Sequence, residues 1–171
     1  MLGWRVRLWL LSPRRLLGSL PLGPGLRVLD LGAGPGVLAR LVAAEVPGGS
    51  VVLVDAQPAM LVKARRRLAA GAPARVTFVQ SVAERLPLAD DTFDIVLLVT
   101  VLGELDDRAA ALAEAHRVLK PGGILSISEH LPDPDFRAAG SARRLASEAG
   151  FEERELVGGW WSYTLNVVKK A

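Results

Sequence analysis

The chain has 171 residues, half of them hydrophobic, and a formal net charge of +3, which suits one compact domain with a sizeable core. It contains no cysteine, so disulfides, thiolate nucleophiles and cysteine-ligated metal centres are excluded. No apolar run reaches the roughly 18 residues that a membrane-spanning helix needs, and without an export signal we predict a cytoplasmic protein.

The N-terminal segment is both basic and apolar. Residues 1–29 contain five arginines and no acidic residue, and the stretch 4–17 mixes two tryptophans with leucines and arginines. Such a mixture suits an amphipathic lid over a cofactor. It also suits peripheral contact with a membrane, because indole and guanidinium groups favour the headgroup level. We therefore predict an N-terminal segment at 1–26, preferably a lid, followed by one domain at 27–171.

From residue 27 onward, short β-branched runs alternate with longer helical patterns, which is typical of βαβ units and a parallel sheet. The predicted strands are 27–31, 50–54, 75–79, 93–99 and 123–128. The predicted helices are 37–46, 58–70, 107–119 and a last one through 149, with Ser141 as its N-cap.

Two extended segments, 151–157 and 160–168, close the chain and are joined by Gly158-Gly159, which predicts an antiparallel hairpin. Alternation along the second segment places one set of side chains toward the core, namely Trp161, Tyr163, Leu165 and Val167. The predicted fold class is therefore α/β: a single Rossmann-like, doubly wound sheet, mostly parallel, with strand order 3-2-1-4-5-7-6.

A glycine-rich turn follows the first strand, at the place where open α/β sheets bind ligands. Its members are Gly32, Ala33, Gly34, Pro35 and Gly36. Glycines let a ligand approach the backbone, and the positive end of the next helix favours an anionic group such as a carboxylate. The turn thus predicts a ligand with an amino-acid group, although a tight connection would use the same residues.

Asp55 lies nineteen residues after Gly36, at the end of the second strand. A carboxylate there can accept hydrogen bonds from a ribose diol, or it can cap the next helix. The glycine turn and Asp55 together indicate an adenosyl ligand.

The string Val28 to Gly36 resembles the first motif of class I S-adenosylmethionine-dependent methyltransferases. Three later blocks agree with that family in order and spacing: 53–60, 83–87 leading into 91–94, and 117–123. The resemblance extends over 27–168 and is closest to the branch that methylates quinone rings and phospholipids. It implies S-adenosyl-L-methionine as cofactor and a small-molecule or lipid-like methyl acceptor.

The resemblance also implies roles for individual residues. The methionine part of the cofactor would lie along the glycine turn, with its amino group near Asp30 and the ribose hydroxyls on Asp55. The remaining contacts would come from Ala56 and Met60 around the adenine, Val82, Ala83 and Glu84 at its edge, and the backbone of Thr100 and Val101 near the methionine end. Two positions depart from many relatives: Val82 replaces an acidic residue, and Gly103 replaces a histidine.

A general base is optional, because a sulfonium methyl group is intrinsically electrophilic and the protein mainly aligns the acceptor. Glu104, Glu129 and His130 follow strand ends on the side where an acceptor would arrive. They are candidates for orienting or deprotonating it, although a loop glutamate or histidine is more often solvated than catalytic. No metal site is predicted.

Two other functions stay open. A nicotinamide dehydrogenase would also bind at this turn, but Gly32, Gly34 and Gly36 are each two apart, unlike the dinucleotide pattern G-x-G-x-x-G. The domain could also be a non-catalytic, cofactor-binding partner subunit. Nucleic acid is disfavoured as substrate, because no basic stripe with interleaved aromatic residues follows the N-terminal segment. The acceptor atom and the oligomeric state are undetermined.

Overall fold

A computed structural model describes residues 13–69, 71–131 and 133–170. The strands are β1 Arg27–Leu31, β2 Ser50–Asp55, β3 Arg75–Gln80, β4 Phe93–Val99, β5 Leu119–His130, β6 Phe151–Gly159 and β7 Ser162–Lys169. The helices are α1 Pro13–Gly18, α2 Val37–Glu45, α3 Pro58–Leu68, α4 Arg108–Val118 and α5 Ala139–Glu148.

The seven strands form one sheet in the order β3-β2-β1-β4-β5-β7-β6, which confirms the predicted fold class and strand order. Strands β1 to β5 pair in parallel, whereas β7 pairs antiparallel with both β5 and β6. The carboxyl ends of the parallel strands therefore share one edge of the sheet, and the turn between β6 and β7 lies at that same edge.

A side chain caps the start of α4, whereas none caps the start of α5. The Asp107 side chain accepts a hydrogen bond of 2.9 Å from the Ala110 amide and caps α4. The predicted cap at Ser141 is wrong, because α5 begins at Ala139 after Ala138, which gives no side-chain cap. Gly150 leaves α5 with φ +91°, the left-handed conformation that a helix exit favours.

Strand β5 starts earlier than predicted. It begins at Leu119, directly after α4, and includes Pro121 and Gly122, which precede the predicted strand at 123–128. The register against β4 shifts between Phe93, which pairs with Leu119, and Ile95, which pairs with Ile124. The ladder is therefore irregular over residues 120–123 and becomes regular again from Ile124.

The hairpin turn also differs from the prediction. Strand β6 continues through Gly158 and Gly159, and the turn is formed by Trp160 and Trp161. Gly158 is needed for close packing instead, since its φ is +108° and a Cβ there would lie 2.4 Å from the Ser162 carbonyl oxygen. Trp161 is therefore exposed rather than part of the core, whereas Tyr163 and the following odd positions of β7 are buried as predicted.

The hydrophobic core lies on both faces of the sheet. The cluster that contains α2 and α3 also buries Leu16 and Leu20, and the Asn166 side chain donates hydrogen bonds to the backbone carbonyl and hydroxyl of Ser19. Residues 13–20 are thus packed against the domain. The tryptophans and arginines of 1–12 lie outside the described residues, and within the described part no helix is long and apolar enough to cross a bilayer.

Candidate functional site

The glycine turn after β1 has a backbone that only glycine adopts readily. Gly32, Gly34 and Gly36 have φ of +75°, +53° and +71°, a region that L side chains avoid. A Cβ at Gly32 would lie 2.4 Å from Val101 Cγ2, and one at Gly36 would lie 2.8 Å from Ala64 Cβ. The turn therefore brings bare backbone against the segment after β4 and against α3.

Asp55 connects this turn to the next helix. Its Oδ2 accepts a hydrogen bond of 2.8 Å from the Gly34 amide, and its Oδ1 accepts one of 2.8 Å from the Gln57 amide. Gln57 is the N-cap of α3, and that helix has no side-chain cap, so Asp55 bonds the residue before the helix and does not cap its first turn. Each carboxylate oxygen has a second lone pair and remains able to accept a ligand hydroxyl.

The other amides of the turn are already used within the chain. Gly32 and Ala33 donate to the Val54 carbonyl over 2.8 and 3.0 Å, and Gly36 donates to Ala33 over 3.1 Å. The first amides of a helix have no partner inside that helix, so the donors that remain for an anionic group belong to the start of α2. The site can thus accept a carboxylate at α2 beside the glycine turn.

Asp30 is a buried acid beneath the turn. Asp30 is only 3% exposed, and its Oδ2 has no hydrogen-bond partner among the residues that the structure describes. Burial, reinforced by the nearby Asp55 carboxylate, raises the pKa of Asp30 to about 7. An unpaired carboxyl group of this kind fits a cationic amine, which would hold it in its charged form.

The predicted adenine-side residues follow β2 and β3 at the same edge of the sheet. Ala56 is exposed and Met60 is half-buried, while Val82, Ala83 and Glu84 are exposed, buried and half-buried in turn. Val82 offers no acidic group to an adenine amine, so polar recognition there falls to Glu84 and to the backbone.

The segment after β4 is strained and closely packed. Thr100 has φ +55°, which is uncommon for a residue with a branched side chain, and its amide donates to the Ser128 carbonyl over 2.8 Å. Val101 then places its side chain against Gly32. Sequence reasoning gave Val101 only a backbone role, because no local pattern signals a contact between residues so far apart in the chain.

Arg67 is a second residue that sequence reasoning missed. It belongs to a run of three arginines, residues 65–67, in the last turn of α3. Its guanidinium donates a hydrogen bond to the Pro35 carbonyl in the glycine turn. Only the tertiary structure shows this contact, since one member of a basic run carries no distinguishing signal.

The three candidate catalytic residues are placed together at the ends of β4 and β5, but in different surroundings. Glu104 is exposed, whereas Glu129 and His130 are fully buried. The Glu129 carboxylate accepts hydrogen bonds from the backbone of Leu102 and Arg137. Burial, followed by the charge of Asp133, raises its pKa to about 8, so Glu129 is largely protonated at neutral pH.

The loop after β5 closes over the end of β4. A Cβ at Gly103 would lie 1.6 Å from the Asp135 carbonyl oxygen, so the fold leaves no room there for the histidine of many relatives. Within the described residues, no group of three or more histidine, aspartate or glutamate side chains is arranged to hold a metal ion.

Comparison with known proteins places these features in a family. Residues 28–123 match a family model described as "Methyltransferase domain". The chain is 41% identical over 128 residues to the ubiquinone/menaquinone biosynthesis C-methyltransferase UbiE of Marinomonas sp. (strain MWYL1), an alignment that covers 72% of this chain and 49% of that protein. The chain thus spans about half the length of the curated relatives that it matches.

Solved structures share the whole fold. A SAM-dependent methyltransferase from Aquifex aeolicus superposes with a TM-score of 0.85 at 24% identity, covering 95% of this chain and 92% of that one. The [4+2]-cyclase SpnF superposes with a TM-score of 0.82 at 20% identity, covering 93% and 80%. At these identities the likeness shows the fold and leaves the reaction to be argued from the site.

Proposed function

This chain belongs to the methyltransferase domain family, and we propose on that basis that it transfers a methyl group from S-adenosyl-L-methionine to a small, lipid-like acceptor. The observation that carries the proposal is the hydrogen bond between Asp55 and the Gly34 amide. It unites the two predicted halves of the cofactor site, the glycine turn and the acidic residue that ends β2, into one continuous surface.

The residues of the site fit this cofactor in three respects. The unpaired Asp30 carboxyl group suits an ammonium, the start of α2 suits a carboxylate, and Asp55 retains lone pairs for a ribose diol. When bound, the cofactor supplies an electrophilic methyl group on a sulfonium. The protein's part is to hold both reactants in line and to exclude water.

The acceptor is assigned by extension from the relatives. UbiE is named for C-methylation in quinone biosynthesis. By extension, we propose an aromatic, quinol-type ring as the methyl acceptor of this chain. It would reach the site beside the ends of β4 and β5, where Glu104, Glu129 and His130 lie. A lid function for the N-terminal segment 1–26 belongs to the same proposal.

Binding and turnover are tested separately, because SpnF shows that this fold also occurs in a protein named for another reaction. Calorimetric titration with S-adenosyl-L-methionine, S-adenosylhomocysteine and NAD⁺ should give binding of the first two only. Turnover with radiolabelled cofactor is then measured on demethylated quinols, phospholipids and small amines. Label transfer to a quinol supports the proposal, and tight binding without transfer to any acceptor supports a non-catalytic partner subunit. Binding of NAD⁺ in place of S-adenosyl-L-methionine and S-adenosylhomocysteine overturns the cofactor assignment.

A further inference from the structure

Two adjacent tryptophans form the turn between β6 and β7 and face solvent. Trp160 is 82% exposed and Trp161 is 44% exposed. Both are large amphipathic side chains, and folded proteins normally cover such surface unless a partner takes it up. The pair is not explained by the core, nor by the proposed cofactor site at the ends of β1 and β2.

The turn between β6 and β7 lies beside the end of β5. Ser162 pairs with His130 at the end of β5, and the Leu131 amide donates to the Trp161 carbonyl over 2.7 Å. The tryptophans therefore project from the same edge of the sheet at which the glycine turn, Asp55 and the candidate catalytic residues lie.

The hairpin around the tryptophans is uncharged and internally bonded. Residues 156–168 contain no charged side chain. Gly158 and Gly159 are paired with Tyr163 and Ser162 of β7, so the backbone groups that face β7 are bonded within the hairpin. The outward groups of β6, which is the edge strand of the sheet, can take partners in the hydrated headgroup layer. The nearest charge on either strand toward the tip is Glu155, opposite Asn166, about 13 Å from the level of Ser162 at ~3.3 Å per residue.

We propose that the tip of the β6–β7 hairpin inserts into the interfacial layer of a lipid bilayer and turns the carboxyl edge of the sheet toward the membrane. The uncharged length matches the roughly 5–10 Å by which interfacial segments enter the headgroup and acyl boundary. Tryptophan is the side chain that favours this level most clearly. The exposed Asp135 on the neighbouring loop confines the insertion to the hairpin tip.

Charge complementarity identifies the membrane as anionic. Residues 1–26 contain four arginines and no acidic residue, and Arg14 and Arg15 of α1 are exposed. Basic residues near a surface of anionic lipids add to the attraction, and salt weakens it. This docking would present a lipid-like acceptor to the site, but it requires neither cofactor nor turnover, so its failure is distinguishable from failure of the proposed function.

The test is sedimentation of the full chain with phosphatidylcholine vesicles, with and without phosphatidylglycerol, in the absence of cofactor. We expect binding to the anionic vesicles, and a decrease on the order of tenfold or more in the partition coefficient of Trp160→Ser/Trp161→Ser. The matched control is Leu41→Ser/Val62→Ser, which removes two exposed apolar side chains from the helices and should bind like the unaltered chain. Both variants should keep the melting temperature, because the replaced side chains are on the surface.

A second measurement locates the tryptophans directly. In a Trp4→Phe/Trp9→Phe background, lipids brominated near the headgroup should quench the remaining indole fluorescence more than lipids brominated deep in the acyl chains. Three results overturn the proposal: no binding of the unaltered chain to anionic vesicles, unchanged binding of the double tryptophan variant, or an equal loss in the control. If the double tryptophan variant binds vesicles unchanged but loses turnover, the tryptophans belong to an acceptor pocket instead.

Discussion

The Asp55 carboxylate accepts a 2.8 Å hydrogen bond from the Gly34 amide and so joins the end of β2 to the glycine turn after β1. The two residues are 21 positions apart in the chain. One side chain thus sets the shape of the turn and, in the proposed function, also holds the ribose of the cofactor.

Replacing Asp55 by alanine should weaken cofactor binding at least tenfold, about 1.4 kcal/mol, because the ribose loses a charged acceptor. The Gly34 and Gln57 amides also lose their partner, at a cost of about 1–3 kcal/mol in stability. Calorimetry and thermal denaturation measure the two effects. The control is Asp94→Ala, which removes a carboxylate bonded to the Arg27 amide at the opposite edge and should leave affinity unchanged. Equal affinity for both variants would refute the role of Asp55.

Gly32→Ala should abolish cofactor binding, because the added methyl group would lie 2.4 Å from Val101 in a turn with φ +75°. Gly48→Ala is the matched control, since Gly48 has φ +71° and open space around its Cα. Both variants pay the cost of a left-handed alanine, about 1 kcal/mol, but only Gly32→Ala also displaces the segment after β4. Comparable cofactor affinity in the two variants would show that the packing of Val101 on the turn is unimportant.

Asp30→Asn should raise stability at alkaline pH and weaken cofactor binding. The pKa of Asp30 is raised from 3.8 to about 7 in the folded chain, so the stability it contributes is complete below pH 3.8 and is lost as pH rises through 7. The amide variant avoids this loss, at most about 4 kcal/mol, so its melting temperature should exceed that of the unaltered chain at pH 8 and approach it at pH 4.

Ionisation of Asp30 should also make the affinity for the cofactor depend on pH. Between pH 7 and pH 5 the affinity of the unaltered chain for S-adenosyl-L-methionine should fall by up to about tenfold per unit, because the protonated carboxyl group no longer attracts a cationic amine. Asp30→Asn should bind weakly with a flat profile over this range. If the affinity of the unaltered chain is equally independent of pH, Asp30 does not bind the amino group of the cofactor.

Glu129→Gln should fold like the unaltered chain at neutral pH, because Glu129 is already mostly protonated there and an amide oxygen still accepts from the backbone of Leu102 and Arg137. Glu129→Ala should lose about 1–3 kcal/mol, since both donors are left without a partner. We expect turnover to be nearly unchanged in Glu129→Gln and reduced in Glu129→Ala, because Glu129 acts by positioning two loops. Complete loss of turnover in a stable Glu129→Gln variant would instead identify Glu129 as the general base.

Gly103→Ala should lower the melting temperature by several degrees, because its Cβ would lie 1.6 Å from the backbone oxygen of Asp135 and overpacking of this kind costs about 1–3 kcal/mol. Gly140→Ala provides the comparison, since Gly140 lies in α5 with nothing near its Cα and alanine favours the helix. If both variants melt at the temperature of the unaltered chain, the loop after β5 does not pack on Gly103.

Much of the fold was predictable from local patterns. The five apolar runs between residues 27 and 128, the helical spacing between them and the Asp107 cap all depend on interactions within a few residues. The predicted strand order was correct. The hairpin turn was misplaced, because two consecutive glycines are a strong turn signal on their own, whereas here Gly158 is required by the close approach of Ser162 from the opposite strand.

The sequence by itself determined the family resemblance, the βαβ order and the residues of the glycine turn, because these follow from composition and spacing along the chain. Only the tertiary structure decided that Asp55 holds Gly34, that Val101 packs on Gly32 and that Asp30 lies unpaired and buried with a raised pKa. It also decided that Trp160 and Trp161 are exposed at the edge of the site. These relationships depend on distances across strands and on loss of solvent, and neither quantity exists until the sheet has formed.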